Sequence, residues 1–321
     1  ITTGRFKLPA GTVVFPAAQP YREFLLTMMR PQRYPEIIPY VGGPVLPPYD
    51  STTWSLPISM GVEALEAADA ITGELEALSA APWPEAGPPV AAAGGWLLPH
   101  SADTVFSAVN RLLADEVELY WLRAADGDGP AGEIFIPADA TTPEKLYAVA
   151  DELHLPVTPL DAAPAGEAFH VNPVRVGLFK PWRASMDEGW TRFVLEGADF
   201  DTRSLHNADV QDGSFASEVD VILLPDIEPS IISKGEHSSE RARSWSTPLP
   251  PEFSGGIGED GIKHVKQWVH DGGTVVAMNQ STEWVIKTFG LPVDNALAKV
   301  TRDEFSCPGS MLRLEVDTSH P

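Results

Sequence analysis

The chain has 321 residues, 43% of them hydrophobic and nine of them Trp, enough for two or three compact domains and not the composition of a disordered polypeptide. Lys and Arg total 22 against 45 Asp and Glu, and the resulting net charge of -23 repels phosphate backbones and anionic membranes, which argues against a nucleic-acid partner. The single cysteine, Cys307, excludes an internal disulfide and any multi-cysteine metal site, and no apolar run approaches the ~20 residues that span a bilayer.

In chain order, residues 1–64 read as a Pro-rich strap. One amphipathic helix is predicted from Tyr21 to Arg30, with Tyr21, Phe24, Leu25 and Met28 at helical spacing and Pro31 ending it. In PEIIPYVGGPVLPPYDSTTW the prolines remove backbone donors and fix φ. That stretch therefore presents Tyr34, Tyr40, Tyr49 and Trp54 on extended chain laid over another surface. Residues 65–94, rich in Ala, Pro and Glu, read as a linker.

Residues 95–172 read as a small α/β domain. GWLLP is a strand, Asp103 to Ala114 a helix, EVELYWLRA an alternating strand, DGDGPAG a hairpin-like turn and EIFIPA a further strand. Pro143 opens a helix reaching Leu153, and VTPL is a last short strand. The order βαββαβ suits a ferredoxin-like sandwich, although a partial flavodoxin-like unit gives a similar string.

Residues 173–321 begin with the most informative stretch, RVGLFKPWRASMDEGWTRFVLEG. Its strand stops at Pro181, and Ser185 with Glu188 spells a capping box. Asp187 and Glu188 complement the helix dipole, Trp190, Phe193 and Val194 form an apolar face, and Gly197 is the expected stop. A polar strand candidate, DFDTRSLHNADV, follows. SEVDVILLPD then supplies the near-continuous apolar run of a buried parallel strand. A long insertion, Ile227 to Gly256, reads as a lid or a mobile loop. The helix Glu259 to His270, the strand GTVVAMN and a helix capped by Ser281 complete the string. Alternating strands and helices with short connections predict a doubly wound parallel sheet.

The runs KPWRASMDEGWTRFVLE and LPPEFSGGIGEDGIKHVKQWVHDGGTVVAMN resemble the C-terminal part of a bacterial group of secreted M14-type zinc carboxypeptidase-like proteins. QPYREFLLTMMRPQRYPE and GGPVLPPYDSTTWSLPISMGVE resemble the segment that follows the peptidase domain in the same group. The resemblance implies a class I glutamine amidotransferase-like, flavodoxin-like domain over 173–321, truncated at its C-terminus. It also implies a missing upstream peptidase domain that holds the zinc, and a secreted or periplasmic location. With no Met at Ile1 and no signal peptide in ITTGRFKLPAGTVVF, the expectation is a piece of a longer exported precursor.

An amidotransferase carries its cysteine on a strained strand-to-helix elbow, where a base activates it and backbone N–H groups hold the oxyanion. Here the elbow falls at Asn279, Gln280 and Ser281, with no cysteine, and Cys307 lies elsewhere in DEFSCPGS. Ser281 is explained as an N-cap. The one zinc-like pair, His237-Ser-Ser-Glu240, sits in the Ser/Arg-rich insertion without a rigid support and reads as coincidence. His100, His154, His206, His264, His270 and His320 are scattered without metal-like spacing. GGIGEDG precedes a helix but has no strand leading into it, and its two acids repel a phosphate.

No residue is therefore assigned as catalytic and none as a metal ligand. A candidate binding crevice remains at the carboxyl ends of the sheet strands, from Lys180, Trp182, Arg183, Asp226, Asn279 and Ser281. An aromatic, cations and an acid there suit a carboxylate, a sugar or a peptide end, and a salt-bridged rim is the plainer alternative. The first functional reading is a non-catalytic accessory region, without a cofactor of its own, that contacts the peptidase domain or another protein. The alternatives are a hydrolase or transferase using that crevice, and a carbohydrate- or peptide-binding module of an envelope assembly.

Overall fold

The computed structural model describes residues 2–4, 6–33, 35–46, 53–123, 132–301, 304–305 and 311–315. Tyr34, Tyr49, Cys307, His320 and all but the last residue of the DGDGPAG turn lie outside the described residues. Two compact units emerge, one from residues 1–80 with 296–321 and one from residues 81–295.

In the first unit, the short strands β1 (Thr2–Thr3), β2 (Phe6–Lys7) and β3 (Ile71–Thr72) pair antiparallel in the order β2–β1–β3. Helices α1 (Arg22–Met29) and α2 (Leu56–Ser59) pack on each other. The apolar face expected of α1 is covered only in part: Tyr21 and Phe24 stay exposed, Leu25 and Met28 are half-buried, and Leu26 is the buried residue. Among the described residues α1 packs on the single turn of α2, which is too short to cover a whole stripe. β3 falls inside the stretch read as a linker.

The second unit begins with residues that wrap a core. Trp83 stacks on His154 at 5.2 Å, Ala86 is buried, and the Trp96 indole donates to the Val90 carbonyl at 2.9 Å. The first subdomain comprises β4 (Gly95–Leu98), α3 (Val105–Ala114), β5 (Leu119–Leu122), β6 (Ile134–Ile136), α4 (Pro143–Glu152), β7 (Thr158–Leu160) and β8 (Ala168–Val171). Its antiparallel sheet has the order β7–β4–β6–β5–β8. The βαββαβ order is present, and β8 adds an unforeseen edge strand whose mostly exposed side chains give no alternation to read. Thr142 caps α4 by accepting from Lys145 N at 3.3 Å, with Pro143 at the first helical position. Trp96, Leu112, Leu119, Ile136 and Leu146 fill the core between sheet and helices.

The second subdomain runs β9 (Arg175–Phe179), α5 (Met186–Gly197), β10 (Asp201–Leu205), α6 (Asn207–Asp212), β11 (Val221–Leu224), α7 (Pro229–Lys234), α8 (Glu240–Trp245), α9 (Gly258–His270), β12 (Thr274–Ala277) and α10 (Ser281–Phe289). Its four strands are all parallel, in the order β10–β9–β11–β12. The chain is thus a mixed α/β protein. Phe179, Leu205, Ile222 and Leu224 point to one face, where Val210 of α6, Val265 and Trp268 of α9 and Trp284 of α10 cover them.

Helix α5 departs from expectation in three ways. Ser185 does cap it, accepting from Glu188 N at 3.1 Å, but Glu188 gives nothing back and pairs with Arg192 one turn on, at 3.0 Å. Gly197 is still helical, and the left-handed residue that ends the helix is Asp199, with φ of 57°. Asp tolerates that conformation because its short polar side chain bonds locally. Finally, Trp190, Phe193 and Val194 face solvent while Glu188 and Arg192 face the sheet, where Arg192 also donates to Ser204 Oγ at 2.9 Å. The α3 side chains Ser107 and Asn110 donate to the Gly197 and Ala198 carbonyls, fixing the C-terminal end of α5.

The Ile227–Gly256 insertion is structured, contrary to the reading as a loop. Ile227, Ile231 and Ile232 are buried. The backbones of Gly235 and Gly255–Gly256 then meet so closely that a Cβ on Gly256 would lie 2.3 Å from Lys234 N. The intervening residues carry α8, capped by Ser239, and a 3-10 turn at Pro251–Phe253.

Candidate functional site

The predicted crevice lies where the four parallel strands end, but its residues sort into two groups. The first holds the insertion. Lys180, directly after β9, accepts from His206 Nδ1 on its carbonyl at 2.9 Å, so the proton sits on Nδ1. Trp182 stacks on that imidazole, meets the edge of Phe253 at 5.0 Å and donates its indole N–H to Asn207 Oδ1. Asn207 in turn donates to the Ser254 carbonyl at 3.1 Å, and Gln211 to the Gly256 carbonyl at 2.7 Å. Arg183 donates to the Thr247 carbonyl at 2.8 Å. Trp182 and Arg183 thus spend their polar groups on the chain's own backbone and side chains. Lys180 is half-buried, and its ammonium forms no ion pair among the described residues.

The second group joins β11 to the elbow after β12. The Asp226 carboxylate accepts from Asn279 Nδ2, from Gln280 N at 3.2 Å and from Gln280 Nε2 at 3.1 Å. Asn279 holds a left-handed φ of 44°, a conformation tolerated by Asn. Gln280, not Ser281, occupies the cap position of α10, and it makes no side-chain capping bond. The assignment of Ser281 as an N-cap is corrected. It is the first helical residue and fully buried, donates Oγ–H to the Pro225 carbonyl and accepts from Ile227 N at 3.1 Å. A hydroxyl whose proton is committed to a carbonyl, away from solvent, is not placed to attack a substrate. The elbow therefore binds β11 to α10, and Ser281 is no part of an open crevice.

The zinc-like pair also comes apart. His237 turns its Nδ1 to Glu228 at 2.9 Å, and Glu240 is the first residue of α8. Among the described residues, no group of three or more His, Cys, Asp or Glu side chains gathers as a metal site. Glu228 itself accepts from Ser230 Oγ at 2.8 Å and from the Ser238 backbone N–H at 2.6 Å. Burial pushes its carboxyl up, but the hydrogen bonds from Ser238, His237 and Ser230 outweigh this and hold it at about 2.

Sequence reasoning missed His206, Asn207, Phe253 and Glu228. His206 and Asn207 directly follow β10, so counting every strand end, and not only those of β9, β11 and β12, would have found them. Phe253 carries no such signal, since only the folded insertion brings it to Trp182. No family model, no curated protein and no solved structure matches this chain, and no helix of the described residues is long and apolar enough to cross a membrane.

Proposed function

We propose that this chain is a non-catalytic interaction scaffold: the accessory region of a secreted or periplasmic M14-type zinc carboxypeptidase-like protein. It would include an amidotransferase-like, flavodoxin-like domain that lacks its nucleophile. The observation that carries the non-catalytic reading is the state of the strand ends. Trp182 and Arg183 anchor the insertion, Asp226 is held by three hydrogen bonds from Asn279 and Gln280, and Ser281 is buried in a structural bridge. What remains for a protein of this kind to offer is surface. The family attribution rests on the long residue runs that resemble that group, and zinc chemistry belongs to the upstream peptidase domain.

Two measurements test it. Titration of the full chain with amino acids, short peptides, sugars and small carboxylates, followed by tryptophan fluorescence, is expected to give no saturable response. A saturable response abolished by Asp226→Asn would make the crevice a real ligand site and overturn the scaffold reading. Sequencing the gene upstream of the codon for Ile1 is expected to show an H-x-x-E pair and a distant histidine. A different upstream domain would overturn the family attribution.

A further inference from the structure

The exposed stripe on α5 is more than scattered surface hydrophobicity. Successive residues on a helix turn by about 100°, which puts Met186, Trp190, Phe193 and Val194 on one side and Glu188 and Arg192 on the opposite one. Their exposures are 74%, 63%, 68% and 65%, and the Trp190 and Phe193 rings meet edge to face at 5.9 Å. The stripe leaves roughly 500 Å² of contiguous apolar surface open, the size of the largest patch on an ordinary monomer, which is often a functional one.

Nothing described in the second unit lies outside this helix. Register sets Ser204, Leu178, Leu223 and Val276 in one row across the sheet, and Ser204 bonds to Arg192, so the row faces α5. Along that row burial falls from complete at Leu178 to 43% exposure at Val276. The α6, α9 and α10 side chains pack on the opposite face. Helix α5 thus stands alone on its side, held rigidly by the Glu188–Arg192–Ser204 layer below and by Ser107 and Asn110 at its C-terminal end.

The flanks identify the occupant. Asp187 and Glu196, the latter 3.6 Å from the Arg192 guanidinium, border the stripe on its two sides, both are exposed, and the whole chain carries -23. A second copy would set acid against acid along both edges of the stripe. We propose that α5 docks an amphipathic helix of a partner protein, apolar on its inner side and lined by Lys or Arg. This deepens the scaffold reading and rests on it.

The test uses the full chain and two synthetic helical peptides with the same Leu face, one flanked by Lys and one by Glu. Calorimetry is expected to show saturable binding of the Lys-flanked peptide, at least tenfold weaker binding of the Glu-flanked one, and weakening with added salt. Trp190→Glu and Phe193→Ser are each expected to reduce binding at least tenfold, with circular dichroism and thermal midpoint kept because both side chains are exposed. Equal binding of both peptides, or binding indifferent to Trp190→Glu, would overturn the proposal. So would a dimer in light scattering that Trp190→Glu dissolves, or equal capture of the chain by zwitterionic lipid vesicles. The small-ligand titration at the strand ends fails or succeeds independently, so loss of this surface and loss of the scaffold reading are told apart.

Discussion

Trp182 lies flat against His206, with ring centroids 3.9 Å apart and the planes 4° from parallel, while Phe253 presses its edge on the same indole. The stack ties the turn after β9 to the far end of the insertion. Trp182→Ala is expected to cost about 2 kcal/mol, less than a fully buried aromatic because the site is half open. Trypsin is expected to cut at Arg241 and Arg243 faster in that variant. Urea unfolding and a cleavage time course check both, and an unchanged cleavage rate would mean that the insertion holds itself down.

Glu228 makes stability depend on acid. Its carboxyl sits at about 2 in the folded chain against an ordinary 4.5, so between those values the unfolded chain binds more protons. The stabilisation is complete above pH 4.5 and is lost as pH falls towards 2, to a total of about 3 kcal/mol. Glu228→Gln is expected to be less stable than the parent at pH 7, with the gap closing as the pH drops. Urea titrations at pH 7, 4 and 3 measure it, and a constant gap would remove Glu228 as the source.

At the elbow, Ser281→Ala takes away the acceptor of the buried Ile227 N–H. An unsatisfied buried donor costs about 1–3 kcal/mol, to be read as a lowered thermal midpoint. In a Cys307→Ser background, Ser281→Cys is expected to place a thiol that a disulfide reagent reaches only after denaturant is added. Rapid native labelling would show that the elbow is open after all.

Gly256 is required by close approach. A Cβ there meets the Lys234 nitrogen and the Ser233 carbonyl carbon, both backbone atoms that cannot swing aside. Gly256→Ala is expected to cost about 2–3 kcal/mol and to unfold the insertion before the sheet. Hydrogen exchange resolved by segment distinguishes this from a uniform loss.

Much of the architecture was legible because period and caps agree. The apolar run Val221–Leu224 announced a buried strand and Pro143 a helix start. The orientation of α5 was not legible. Its apolar residues and its Glu188–Arg192 pair lie on opposite sides, and the pattern alone does not say which side meets the sheet; a bonded ion pair with Ser204 beneath it decided. Asp226 and Asn279 were both named for one crevice, and the structure shows them bonded to each other. Ser281 was misread because its partners, Pro225 and Ile227, are far off in sequence, and a local cap was the nearest available explanation.

The neck at Gly235 and Gly255 has one more consequence. The chain departs at Gly235 and comes back at Gly255, where the two backbones touch, so the residues threaded between form a closed loop of their own. Its outer turn, α8, is free to drift or to be exchanged by an engineer, provided that the later residues Thr247, Phe253 and Ser254 stay to meet Arg183, Trp182 and Asn207.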